Sequence, residues 1–222
     1  AFGDRTLEKL DVSTTQFGKH AFGALRHYFS TLRTLNIRDC PNLTSTNVIE
    51  LLTLCPHLET LITGRIYAQY LDNDQVWACS KTLQSLSIEF ELDQEPNIYE
   101  SSEATEGTPD ELNEVVFACL GQLSKLKHLT IGYPKPVQRY DQRDPQTSIP
   151  LEIQLSQGLA ELAGLKMLNH FSMGALMGSL GAKEVDWMMS NWPNLMVLEG
   201  LSDKTTKIPR QRVAKRKGIM VK

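Results

Sequence analysis

An apolar anchor of the form Leu-x-x-Leu-x-Ile recurs through this chain at nearly constant spacing, and that recurrence limits the fold more than any other feature. It opens at Leu7-x-x-Leu10-x-Val12 and continues at Leu32-x-x-Leu35-x-Ile37, Leu58-x-x-Leu61 and Leu83-x-x-Leu86-x-Ile88. Leu126-x-x-Leu129-x-Ile131, Leu168-x-x-Phe171-x-Met173 and Leu195-x-x-Leu198 complete the series. The first anchors are 25, 26, 25, 43, 42 and 27 residues apart. One Leu-x-x-Leu is common on any amphipathic helix, whereas seven in phase are not. A period of roughly 20–29 residues with this pattern predicts units made of one short strand and a helical return. A single unit cannot bury its own apolar face, so neighbours stack into an α/β solenoid, with a parallel sheet on the concave side and helices on the convex side. The two long spacings read as a unit plus an insertion, at 91–111 and 133–150. The expected organisation is therefore a solenoid over 1–203 and a basic tail over 204–222.

Residues 32–58 carry the fullest unit. Leu32, Leu35 and Ile37 are followed by Cys40, Leu43, Thr44, Ser45, Asn47 and Val48, and the unit closes at Cys55-Pro56-His57-Leu58. This run resembles the cysteine-containing leucine-rich repeats of the F-box and ribonuclease-inhibitor-like type. That pattern is Leu-x-x-Leu-x-Leu-x-x-Cys, two residues, Ile/Leu-Thr-Asp-x-Gly-Leu, then a helix ending in Cys-Pro-x-Leu. Ser45 stands at the Asp position and Val48 at the last Leu. Asn47 stands at the Gly position, where Asn is the best substitute for a residue of positive φ. The match is close over 32–58, looser at Cys79-Ser80-Lys81-Thr82-Leu83, and elsewhere confined to the anchors. The resemblance implies a non-catalytic adaptor that holds a substrate protein on its concave face and presents it to a ubiquitin ligase. The ligase scaffold would be engaged through an F-box, which is not in these residues. The alternatives are a stand-alone protein-binding scaffold and, more remotely, an enzyme.

Composition sets the outer bounds. Apolar residues make up 41% of the 222 and charged residues 22%, which is ordinary for a folded chain. No apolar run reaches the ~18 residues of a membrane span, so no membrane partner is expected. No charged-then-apolar leader opens the sequence, which points to the cytoplasm, the nucleus or both. The anchors are in register by Leu7 with no polar capping unit before them, which predicts a segment upstream. Cys40, Cys55, Cys79 and Cys119 recur near unit boundaries without Cys-x-x-Cys pairing and read as buried, reduced thiols. Asn42-Leu43-Thr44 matches a glycosylation sequon by chance in a chain without a leader. The net charge of −3 conceals segregation: residues 89–114 hold ten acidic and no basic side chains, and 204–222 hold eight basic and no acidic ones. The acidic insertion is too polar to order itself. The other, with Pro134, Pro136, Pro145 and Pro150, reads as a stiff extended connection.

Helices are expected at 48–54, 74–79, 114–120 and 185–192, where apolar residues take helical spacing. Within each anchor, alternation turns the third, fifth and seventh residues outward. This places Lys9, Asp11, Ser13, Thr34, Asn36, Arg38, Thr60, Ile62 and Gly64 toward one end of the concave face. Ser85, Ser87, Glu89, His128, Thr130, Gly132, His170, Ser172, Gly174, Val197, Glu199 and Leu201 continue it. The face lacks the run of arginines and aromatics suited to nucleic acid.

The candidate partner-binding residues are Arg38, Glu89, His128, Thr130, His170, Ser172 and Glu199. His128 and His170 share a register position in consecutive units, and Gly132 and Gly174 would leave a shallow recess beside them. Two histidines fall short of the three or four ligands of a metal site, so no metal or other cofactor is expected. No nucleophile–base pair stands out, so no catalytic residue is proposed and the partner is taken to be a protein. Gly174-x3-Gly178-x2-Gly181 lacks the Gly-Lys-Ser/Thr of a phosphate loop and reads as a connecting turn. The basic tail has the composition of a nuclear signal or a solvated terminus.

Overall fold

The computed structural model describes residues 6–93, 107–132, 149, 151–174, 180–200 and 219–221. Its centre is one parallel sheet. The strands are β1 (Lys9–Asp11), β2 (Thr34–Asn36), β3 (Thr60–Tyr67), β4 (Ser85–Glu91), β5 (His128–Ile131), β6 (His170–Ser172), β7 (Val197–Glu199) and β8 (Met220–Val221). They pair strictly in chain order, each parallel to the next. Parallel neighbours need a crossover between them. The crossovers include α1 (Lys19–Leu25), α2 (Ser45–Leu54), α3 (Pro109–Gly121) and α4 (Ala182–Asn191), with 3-10 turns at Ala68–Tyr70, Ala78–Lys81, Leu155–Gln157 and Leu159–Gly164.

The anchors become the core. Leu10, Leu35, Leu61, Leu86, Leu129, Phe171, Leu198 and Val221 stand opposite one another across all eight strands. Leu35, Leu61, Leu86, Leu129, Phe171 and Leu198 are fully buried, and so are the first anchors Leu32, Leu58, Leu83, Leu126, Leu168 and Leu195. Burying each leucine contributes about 1.5–3 kcal/mol, and the helical side adds Phe22, Leu51, Trp77, Phe117 and Trp192 to the same cluster. All four cysteines are free and buried. Three of their thiols donate to main-chain carbonyls: Cys40 to Val12 (3.1 Å), Cys79 to Leu52 (3.4 Å) and Cys119 to Asp72 (3.6 Å).

Several sequence expectations change on contact with the structure. The helix expected at 74–79 is absent; residues 71–77 form no helix, and only a 3-10 turn at Ala78–Lys81 follows. The Asp72 carboxylate accepts the Asp74 amide (2.9 Å), a local bond that competes with helix formation. Asn47 does not take positive φ; it lies in the first turn of α2, where its side-chain oxygen accepts the Thr44 amide (3.2 Å). Five left-handed residues sit instead at strand exits, and Gly158 lies between two 3-10 turns. Thr14, Asp39, Gly132, Gly174 and Gly200 all have positive φ, just after β1, β2, β5, β6 and β7. Gly132 and Gly174 therefore turn the chain out of the sheet, at no steric cost to a residue without Cβ.

The acidic insertion is shorter than its composition suggested. β4 runs on to Glu91, Leu92 is buried, and α3 begins at Pro109. Thr108 and Glu111 form a capping box at that helix start. Residues 94–106 of that insertion, and 133–148 and 150 of the second, lie outside the described residues. The Ile149 carbonyl accepts the Leu92 amide (3.0 Å), so the two insertions share a root. The tail expected to be a solvated terminus ends in β8, although 201–218 lie outside the described residues. Among the described residues, no helix is long and apolar enough to cross a membrane.

Candidate functional site

One face of the sheet carries the helices, and the other displays short polar side chains in rows set by strand register. On β5, β6 and β7 those rows bring five of the seven candidate residues together. His128 pairs with His170, which pairs with Val197, and Met220 of β8 continues the row. Thr130, Ser172 and Glu199 form the row two residues further along the strands. The imidazoles meet edge to face, with ring centroids 6.0 Å apart. The Glu199 carboxylate lies 3.4 Å from Nε2 of His170, so protonation of His170 would complete an ion pair. Burial, the His170 ring and then the Lys127 ammonium hold His128 below the ordinary imidazole range. Each of these disfavours the imidazolium form.

The remaining candidates behave differently. Arg38 leaves β2, three strands from His128. Its guanidinium is half-buried and donates to Ser87 Oγ on β4 (3.0 Å), reaching past β3. Glu89 was expected to face outward, and it is only 7% exposed. Arg65 explains this: its guanidinium lies 3.8 Å from Glu89 and 2.8 Å from Glu91, itself 2% exposed. A register shift between Ile62 and Arg65 aligns Arg65 with Glu89, the re-aiming a β-bulge produces. Ser172 is also 7% exposed, and its hydroxyl accepts the Gly174 amide (3.4 Å) inside the exit turn. Neither Glu89 nor Ser172 is freely available to a partner. At the far end of the face, Asp11 accepts from the Ser13 amide (3.0 Å), the Ser13 hydroxyl (2.7 Å) and Asn36 Nδ2 (3.0 Å). Those bonds, in that order, hold its carboxyl below the usual range.

Two features of the site escape a reading by anchors. Arg65 lies beyond the Leu58-x-x-Leu61 anchor, where the pattern ends but β3 continues. The alternation of Glu89 and Glu91 within an apolar strand was the signal for a buried cation opposite. The exposed Met220 stands opposite half-buried Val197 and gives the histidine row an apolar end. Met220 was hidden because β8 has no anchor, although Ile219-Met220-Val221 is an apolar run at the end of a basic segment.

Among the described residues, no group of three or more His, Cys, Asp or Glu is placed to hold a metal. Burial pushes the thiols of Cys55, Cys79 and Cys119 up to about 12, which keeps them protonated and non-nucleophilic near neutrality. What the arrangement offers is a pH-responsive polar surface bordered by apolar side chains. Compared with known proteins, the chain matches no family model and no curated protein.

Proposed function

We propose that this chain is a leucine-rich-repeat solenoid that works as a protein-recognition module without catalysis of its own. The partner binds over the C-terminal half of the open sheet face. The observation that carries this reading is the row His128–His170–Val197–Met220, laid across four strands that pair in chain order. An array of this kind presents an extended surface to one macromolecule. Its mixture suits a protein interface, with apolar Val197 and Met220 in one row with the two histidines. Thr130, His170 and Glu199 supply directional contacts, and Arg38 marks the other end of the face.

The finer reading is the substrate-binding part of an F-box-like ubiquitin-ligase adaptor. Its support is the resemblance of residues 32–58, with Cys40 and Cys55-Pro56 at the characteristic positions. In that reading the ligase scaffold is engaged by sequence outside these 222 residues. Co-precipitation separates the readings: an adaptor brings down the ligase scaffold only when sequence upstream of Ala1 is present, and a stand-alone scaffold never does. Placement is tested with a partner recovered by proximity labelling. The His128→Ala/His170→Ala pair should weaken it at least about tenfold, and Lys9→Glu/Arg38→Glu should leave it bound. The reverse pattern would move the interface to the other end of the sheet.

A further inference from the structure

The crossover from β3 to β4 contains no α-helix, whereas α2 precedes it and α3 follows it. Residues 71–77 take the place of a helix in non-helical form, with Leu71 and Trp77 buried and the Asp72 and Gln75 carbonyls accepting from Cys119 and Gln122 at the end of α3. A groove of ≈550 Å³ lies between this segment and α2. One wall is Thr46, Ile49, Glu50 and Thr53, and the other is Tyr70, Asp72, Asp74 and Gln75. The α2 residues stand at i, i+3, i+4 and i+7, which is one continuous face of a helix. That is the face a neighbouring helix would cover.

We propose that this groove docks a basic amphipathic helix of a partner protein. This surface is separate from the open sheet face and independent of what binds there. Three observations set the chemistry of the occupant. The eight lining residues include three carboxylates and no Lys, Arg or His. Glu50 is engaged by Arg26 (2.6 Å), which leaves Asp72 and Asp74, both exposed, to meet incoming cations. Ile49 and Tyr70 supply apolar surface inside the groove, and the exposed Leu54 and Val76 follow Thr53 and Gln75 in the chain. Carboxylates on one wall, with Ile49 and Tyr70 between, match a helix with lysines or arginines along one stripe and leucines along another.

The test uses the whole chain and a designed peptide of about 15 residues, long enough for four helical turns. The peptide is capped at both ends, with leucines on one face and lysines on the other. A control peptide carries glutamate at every lysine position. Binding is read by fluorescence anisotropy and located by amide shift changes. The lysine peptide should bind, perturb Thr46, Ile49, Thr53 and Tyr70, and weaken as salt rises. Asp72→Lys/Asp74→Lys, both exposed and outside the core, should weaken it by about tenfold or more, and the glutamate peptide should not bind. Any one of four results overturns the proposal: no binding at millimolar peptide, equal binding of both peptides, an unchanged affinity in the double variant, or shift changes confined to residues 89–114 or to the open sheet face.

Discussion

Thiols and an imidazole in this chain are moved from their free-solution behaviour by burial, in opposite directions and with the same result, because burial disfavours the charged form of each. Cys55, Cys79 and Cys119 are pushed up to about 12 because the thiolate would lie in an apolar interior. Iodoacetamide at pH 8 should leave these three unmodified in the native protein and alkylate them after denaturation, as intact mass spectrometry would show. His128 moves down, with burial the first cause and the neighbouring His170 the second. Its NMR titration midpoint should fall below the ~6.5 of free imidazole and rise in His170→Ala. The linkage sign follows from the direction. As pH drops through ~6.5 the unfolded chain takes up a proton that folded His128 still refuses. The His128 contribution to stability is therefore complete above that pH and is lost as pH falls toward the folded value. Urea melts at pH 7.5 and pH 5.5 should show a smaller acid loss for His128→Asn than for the native chain.

At the scale of elements, the strands carry the period and the crossovers carry the exceptions. Phe171 lies in the inner row between Leu129 and Leu198 and packs against Trp192, with ring centroids 5.1 Å apart. Phe171→Ala should cost about 3–5 kcal/mol by denaturant melting, as cavities in packed cores do. The start of α3 depends on Thr108, whose hydroxyl accepts the Glu111 amide (3.4 Å) while its own amide donates to the Glu111 carboxylate (2.8 Å). Thr108→Ala should cost about 1 kcal/mol, measurable in the same experiment. The β3–β4 crossover obeys neither the period nor the helical spacing. Local bonding at Asp72, whose carboxylate accepts the Asp74 amide, competes with a helix there.

For the whole molecule, an in-order parallel sheet means that each unit touches mainly its neighbours, so surface insertions perturb little beyond their roots. Replacing residues 95–105 with a Gly-Ser segment of equal length keeps Leu92, Thr108 and Ile149 in place. The melting temperature should then move by no more than about 2 °C, corresponding to roughly 0.5 kcal/mol in a chain this size. Removing all of 91–111 should be far more damaging, because it takes Glu91 from Arg65 and the first turn from α3. Calorimetry on the two variants separates these outcomes.

The sequence by itself determined the α/β class, the strand order and the inner row. Periodicity is a property of spacing, and Leu35, Leu61, Leu86, Leu129 and Phe171 could be buried together in only one register. It also placed His128 beside His170, because parallel strands one unit apart align equal positions. Tertiary structure alone decided which outward positions are free. Glu89 points where alternation puts it, yet Arg65 arrives across a bulge that no local pattern encodes. Asn47 completes the capping box of α2 with Thr44 instead of turning the chain, and the left-handed residue of that unit is Asp39. The strand at Met220 exists because β7 offers an open edge, and a two-residue pairing has no periodicity to read. Spacing along a chain is local information and survives in the sequence; burial of a polar side chain depends on what reaches it from elsewhere, and that is settled only when the strands are in place.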